Sequence, residues 1–105
     1  CYDSSHHNLT AKSFDFLGEF GDRLTAVHIS DNRGQYDDHQ KPGEGTIDWG
    51  DFAARFGRLQ FEGPFLLEVE TRESRIKESA AFLHDAFLSA DWLLAMSDRL
   101  GVLYR

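Results

Sequence analysis

Carboxylate and imidazole side chains recur at short spacings in this chain and are the residues best suited to bind a metal ion. The candidate ligands are Asp3, His6, His28, Asp37, His39 and Glu68. Glu68 lies in the apolar run 65–69, where an unpaired charge would be costly, so a cation or hydrogen-bond partner is expected. Mixed imidazole and carboxylate ligands suit zinc, manganese or a similar ion. Jointly these residues predict a divalent metal site.

All of these residues except Glu68 also have an ordinary structural interpretation. The spacing of Asp3 and His6 suits an Asx turn or a capping bond. His28 could bond a neighbouring carbonyl, and Asp37 and His39 could be solvated loop residues. The number of such side chains, rather than any one of them, favours a metal site.

Short apolar runs predict strands, and amphipathic segments predict the helices that follow them. The expected strands are residues 1–3, 24–29 and 65–69, and the expected helices are about 10–20, 47–59 and 74–99, with a polar turn at 4–8. Thr46 or Asp48 is expected to cap the second helix, and Gly101 to end the third. The apolar residues of the third helix are expected to form one broad face. This alternation predicts an α/β fold with a parallel sheet and right-handed crossovers.

Polar side chains cluster where the predicted strands end. Asp3 ends the first strand and His6 follows it, His28 lies near the end of the second, and Glu68 lies at the end of the third. In parallel α/β sheets the ligand lies beyond the carboxyl ends of the strands. This coincidence is the strongest indication of a functional site in the sequence.

Composition narrows the class of protein. The 105 residues are 41% hydrophobic, which predicts one globular domain. Their formal net charge of -7 disfavours a nucleic-acid partner. The single cysteine, Cys1, excludes an internal disulfide and suits a reducing, cytoplasmic location. No apolar run is long enough to span a membrane. The sequence contains no G-x-S-x-G elbow, Walker loop or Rossmann glycine fingerprint.

Four motifs follow one another in order: Asp3-Ser-Ser-His6, Val27-His28-Ile-Ser-Asp31, Asp37-Asp-His39 with Pro42-Gly-Glu-Gly45, and Leu66-Leu-Glu68. Together they resemble the carboxyl-terminal part of the xylose isomerase-like TIM barrels. This superfamily contains sugar and sugar-phosphate isomerases and epimerases, and also endonuclease IV. The resemblance implies that residues 1–105 are the carboxyl-terminal part of a single TIM (β/α)8 barrel domain, with about its last three βα units. Such units cannot close a barrel, so the missing half or an oligomer partner is expected to cover them.

The epimerase branch of this superfamily implies specific roles. Asp3, His28 and Glu68 would hold a divalent ion (Mn, Zn, Mg or Co) together with a glutamate from a fifth strand that this chain lacks. His6 would contact substrate hydroxyls. Arg33 lies near the sequence position that a substrate-binding arginine occupies in that branch. Glu68 would be an acid/base in proton transfer through the enediolate of a sugar or sugar phosphate.

Two alternatives remain open. In the endonuclease IV branch, His6, Asp37 and His39 would match the ligands of another metal ion, and the substrate would be abasic DNA. The acidic charge of the chain favours the isomerase or epimerase interpretation. The other alternative is an inactive barrel fragment, and the fragment alone is expected to have no activity.

Overall fold

Three short parallel strands form the sheet in the computed structural model of this chain, which describes residues 1–104. The strands are β1 (Tyr2–Asp3), β2 (Val27–Ile29) and β3 (Phe65–Leu67), and β2 lies between the other two. Both pairings of β2 are parallel. The predicted parallel sheet is therefore confirmed, although the second and third strands are shorter than predicted.

The predicted polar turn at 4–8 is wrong, because these residues belong to helix α1 (Ser4–Thr10). Asp3 caps this helix: its side chain accepts a hydrogen bond from the backbone N–H of His6 at 2.9 Å. That bond satisfies one of the N–H groups that lack an intrahelical partner in the first turn. An aspartate three residues before the N–H group that it binds occurs both in isolated turns and at helix starts. The spacing of Asp3 and His6 therefore did not distinguish the two.

The helix predicted at 10–20 is helical only in its second half, as α2 (Phe16–Phe20). Asp15 is the N-cap, since its side chain accepts a hydrogen bond from the backbone N–H of Gly18. A 3₁₀ turn at Gly21–Arg23 follows and leads towards β2. The start of the helix is therefore set by a capping side chain rather than by the first apolar residue of the pattern.

Helix α3 (Trp49–Leu59) covers one face of the sheet and supplies most of the aromatic core. Asp48 is its N-cap and accepts a hydrogen bond from the backbone N–H of Asp51 at 3.0 Å, which confirms one of the two predicted caps. The buried core cluster comprises Leu17, Val27, Ile29, Trp49, Phe52, Phe56 and Leu93. Burial of these apolar side chains fixes the helix against the strands.

Helix α4 (Ser79–Tyr104) begins and ends later than the predicted range of 74–99. Gly101, predicted to end the helix, lies inside it and is buried. A Cβ at Gly101 would collide with the backbone of Gly57, so the glycine allows α4 to approach α3 closely. Its role is close packing, and the prediction of a helix terminator there is wrong.

The apolar residues of α4 are divided between two faces, against the prediction of one. Phe82 and Leu93 are buried, whereas the side chains of Leu83, Phe87 and Trp92 are 64%, 65% and 57% exposed. We call the exposed surface of α4 around Leu83 and Phe87, which lie one turn apart, the outer face. Despite this apolar surface, none of the helices within residues 1–104 is both long and apolar enough to cross a membrane.

Candidate metal centre

Asp3, His28 and Glu68 lie side by side at the carboxyl ends of the three strands, and we term them the strand-end group. Asp3 and His28 are register partners, and the backbone N–H of Glu68 donates to the carbonyl of Ile29 at 2.9 Å. A possible ligand atom of each member lies within 4.8 Å of those of the other two. Nδ1 of His28 is 3.0 Å from Oε1 of Glu68. Within residues 1–104, no other three His, Cys, Asp or Glu side chains converge this closely.

The alternation of side chains along β2 explains why His28 faces the site. Val27 and Ile29 are buried in the core, so His28 between them points to the opposite face of the sheet. The side chains of His28 and Glu68 are 36% and 39% exposed, and that of Asp3 is 19% exposed. An ion or a small ligand can therefore reach the group from the face that α3 does not cover.

A second cluster is centred on Asp37, and we term it the rim group: His6, Asp37 and His39. One carboxylate oxygen of Asp37, Oδ2, is 2.9 Å from Nε2 of His6 and 3.3 Å from Nε2 of His39. The other oxygen, Oδ1, is buried without a hydrogen-bond partner among the described residues. Nδ1 of His6 is also 3.5 Å from the Asp3 carboxylate, so the two groups adjoin.

The charges around His39 favour its protonated form. Burial by itself would lower the pKa of His39, but a hydrogen bond from Nδ1 to the Glu68 carbonyl at 3.0 Å, together with nearby carboxylates, raises it above the ordinary value. The carboxylates are those of Asp37, Glu70 and Glu68. Because a metal ligand must present a free nitrogen lone pair, metal binding by His39 would compete with its protonation.

Arg33 is exposed and makes no hydrogen bond or ion pair with any residue of the described part of the chain. The structure therefore does not bring it into contact with either group. The side chain of His6 is 62% exposed, which leaves it free to meet a ligand. The substrate-binding roles expected for Arg33 and His6 stay predictions.

Sequence reasoning missed the structural importance of two carboxylates in the loop that carries the rim group. Asp31 is fully buried, and the side chain of Glu44 is only 4% exposed. The signal that could have identified Asp31 is the glycine-rich turn at 42–45, whose backbone N–H groups need acceptors.

Parallel βα units whose strand ends carry the polar side chains are the construction principle of TIM barrels. The chain belongs to the xylose isomerase-like TIM barrel family, whose profile matches residues 1–86. Over 83 residues it is 34% identical to the uncharacterized protein y4fM of Sinorhizobium fredii. That match covers 78% of this chain but only 27% of the relative, so the chain spans about a quarter of the relative's length. No solved structure matches the chain at a significant level.

Proposed function

We propose that this chain contributes to a metal-dependent isomerase or epimerase that acts on a sugar or sugar phosphate. The observation that carries the proposal is the convergence of Asp3, His28 and Glu68 within 4.8 Å at the carboxyl ends of neighbouring strands. Membership of the xylose isomerase-like family supports the same interpretation. A cytoplasmic location is part of the proposal, as it was expected from the single cysteine.

The donor atoms of the strand-end group fit a divalent cation such as Mn, Zn, Mg or Co. The group offers one imidazole and two carboxylates, a combination that such ions accept. The nearest basic side chains to these partly exposed carboxylates are histidines, His28 at 3.0 Å from Glu68 and His6 at 3.5 Å from Asp3. A bound cation would add the positive charge that two adjacent carboxylates lack.

The residues of this chain have distinct roles in the proposal. Glu68 moves the substrate proton, because its carboxylate is half-exposed and its contact with His28 orients it. His6 and Arg33 bind substrate hydroxyls from the rim. The cation, when bound, supplies charge that stabilises negative charge developing on the substrate oxygens. A further glutamate, implied by the family resemblance, would come from a strand outside these 105 residues.

A metal-dependent phosphodiesterase of the endonuclease IV kind is the second candidate. The contacts of Asp37 with both His6 and His39 favour it. The family resemblance implies that these three residues match a further set of metal ligands in that enzyme. The net charge of -7 disfavours it, because duplex DNA is bound largely through Lys and Arg. Cleavage of abasic-site DNA, assayed beside isomerase and epimerase turnover, distinguishes the two. A protein that binds no metal and has neither activity would support the inactive-fragment alternative.

Replacement of Glu68 by glutamine tests the proposal. We expect Glu68→Gln to abolish turnover of the whole protein, because an amide cannot exchange the substrate proton. In the isolated chain we expect Zn²⁺ affinity, measured by calorimetry, to fall by at least about tenfold, a loss typical even of groups that only support a ligand. Glu62→Gln is the matched control, since Glu62 is exposed and precedes β3, whereas the strand-end group lies at the carboxyl ends of the strands. Full turnover in Glu68→Gln would remove Glu68 from the mechanism.

A further inference from the structure

Asp31 is a fully buried carboxylate that accepts hydrogen bonds from five N–H groups, four in the backbone of the loop that follows β2 and one in the indole ring of Trp49 at the start of α3. The donors to Oδ1 are the backbone N–H groups of Asn32 and Ile47, at 2.9 and 3.2 Å. The donors to Oδ2 are the backbone N–H groups of Gly43 and Gly45, both at 3.0 Å, and Nε1 of Trp49 at 2.9 Å. Both oxygens are therefore saturated with donors.

These bonds require an acceptor at both side-chain oxygens of residue 31. No Lys, Arg or His forms an ion pair with Asp31 within residues 1–104, so N–H dipoles alone surround its charge. An asparagine at position 31 would replace one of the two oxygens by an NH₂ group. That NH₂ group would face the N–H groups that now donate to the replaced oxygen. Two donors facing each other in a buried site leave both unsatisfied, which is costly.

The glycines of the loop permit this wrapping. Gly43 has φ +97, a left-handed conformation that side chains rarely adopt. A Cβ on Gly45 would collide with the backbone carbonyl of Asn32 and with the Asp31 carboxylate itself. The segment 43–45 therefore closes around Asp31 in a way that only glycine allows at these two positions.

The backbone of Asp31 holds the other part of the same loop. It pairs with Gln40 through two hydrogen bonds, N–H of Asp31 to the Gln40 carbonyl at 2.8 Å and N–H of Gln40 to the Asp31 carbonyl at 2.9 Å. His39, the neighbour of Gln40, contacts the Glu68 carbonyl, and its own carbonyl accepts from the N–H of Glu70. The pairing of Asp31 with Gln40 thus closes the loop 32–39, which carries two members of the rim group.

We propose that Asp31 is a positioning residue of the candidate metal centre. Hydrogen bonds to its buried carboxylate hold segment 31–49 in the conformation in which Asp37 and His39 face His6. The loop has a further anchor in Asn32, whose side-chain amide donates to the Ser5 carbonyl in α1 at 3.0 Å. Because α1 also carries His6, the two sides of the rim group are joined beneath the site. The proposal rests on the proposed function only for the assignment of Asp37 and His39 as ligands.

Hydrogen exchange of the metal-free full chain, followed by mass spectrometry, tests the structural part. We expect Asp31→Asn to raise amide exchange in segment 41–48 by about tenfold or more, the ratio that corresponds to loss of a hydrogen bond to a charged group. Trp49→Phe removes one donor and keeps an aromatic ring, so it should raise exchange in the same segment by less. This milder variant decides the question if Asp31→Asn does not fold. Asp48→Asn is the matched control, because it makes the same chemical change at an exposed cap that asparagine can replace.

Zn²⁺ titration then separates positioning from general destabilisation. Asp31→Asn should weaken Zn²⁺ binding by about tenfold to a hundredfold, as loss of a supporting group does. If it acts through the rim group, it should weaken binding much less when His39→Gln is already present. Unchanged exchange in segment 41–48 for both Asp31→Asn and Trp49→Phe, or fully additive losses of affinity, would overturn the proposal. If the unaltered chain binds no Zn²⁺, the proposed function fails, and the exchange result still decides whether Asp31 holds the loop.

Discussion

Glu44 is a second buried carboxylate of the loop, and it joins the loop to the segment that follows β3. Its Oε2 accepts hydrogen bonds from the hydroxyl of Ser74 and the backbone N–H of Arg75, both at 3.1 Å. Nζ of Lys41 lies 3.5 Å from Oε1 and 2.6 Å from the Asp85 carboxylate in α4. The loop, the segment after β3 and α4 therefore meet at one cluster of charges, in which the side chains of Lys41 and Glu44 are buried and that of Asp85 is exposed.

The environment of Glu44 makes stability depend on pH. Burial alone would raise the pKa of Glu44, but the hydrogen bonds from Arg75 and Ser74 and the charge of Lys41 lower it below its ordinary 4.5. A lowered folded-state pKa adds stability that is complete above the unfolded-state pKa and is lost as the pH falls through the folded-state value. We therefore expect the free energy of unfolding to decrease below about pH 4.5.

Denaturant unfolding at a series of pH values measures this dependence. Glu44→Gln should flatten the acid limb of the stability curve, because the amide does not titrate. Glu62→Gln provides an exposed control of the same chemical change. An acid limb that is equally steep in Glu44→Gln would assign the pH dependence to other carboxylates.

At the scale of elements, the contact between α3 and α4 depends on small residues at the crossing point. A Cβ at Gly57 would collide with the backbone carbonyl of Ser97, and one at Gly101 with the backbone of Gly57. Gly57 and Gly101 are both buried, so neither helix can shift outwards without opening the core. The helix pair packs backbone against backbone at this point.

Adding a methyl group at the crossing should destabilise the fold. We expect Gly57→Ala to lower the free energy of unfolding by about 1–3 kcal/mol, the cost usual for overpacking a well-packed core. Gly50→Ala in the first turn of the same helix is the control, because the nearest atom to its Cβ is an Asp48 oxygen at 3.4 Å. Alanine is a better helix former, so Gly50→Ala should keep or raise stability. Equal thermal midpoints for Gly57→Ala and Gly50→Ala would contradict the close crossing.

The elements that could be predicted from sequence are those defined by apolar pattern. The strands around Val27 and Phe65 were found because short apolar runs next to amphipathic helices indicate a parallel sheet. From that topology the meeting of Asp3, His28 and Glu68 at one edge also followed, although their role as ligands stays a prediction. Helix α1 was not found, because it is only seven residues long and polar, and Asp3 and tertiary contacts hold it.

The roles of Asp31 and Glu44 could not be predicted from pattern for a different reason. The partners of the Asp31 side chain include N–H groups 12 to 18 residues further along the chain. Glu44 meets its partners in Ser74 and Arg75 at separations of 30 and 31 residues. Neither periodicity nor composition reports which backbone groups converge on a buried carboxylate at such separations. Only the folded loop shows them.

At the scale of the whole molecule, the described chain leaves several surfaces without partners. The three-stranded sheet has the order β1-β2-β3, so within residues 1–104 one edge each of β1 and β3 is unpaired. Leu66, on the face of the sheet that α3 does not cover, is 49% exposed. The outer face of α4 adds further exposed apolar area. Unpaired strand edges and apolar patches of this kind promote association.

We therefore expect the isolated 105-residue chain to self-associate. Sedimentation velocity over a range of concentrations should show species larger than the 12.0 kDa monomer. Leu83→Glu on the outer face should reduce their size if that face contributes, and Asp98→Glu, also exposed on α4, should not. A chain that stays monomeric at all concentrations would count against the interpretation as part of a larger barrel.

Asp3 combines two duties in one carboxylate, and this restricts how the position can evolve. Oδ1 caps α1 through the N–H of His6, while the same side chain belongs to the strand-end group. Asparagine would preserve the cap and forfeit the charge, whereas glutamate would preserve the charge and forfeit the cap. In a saturation-mutagenesis selection scored separately for abundance and for Zn²⁺ binding, we expect asparagine to pass only the first score and aspartate alone to pass both. If asparagine or glutamate passed both scores, one of the two roles of Asp3 would not be needed. If neither passes, no chemically similar residue can replace Asp3 without loss of the helix cap or of Zn²⁺ binding.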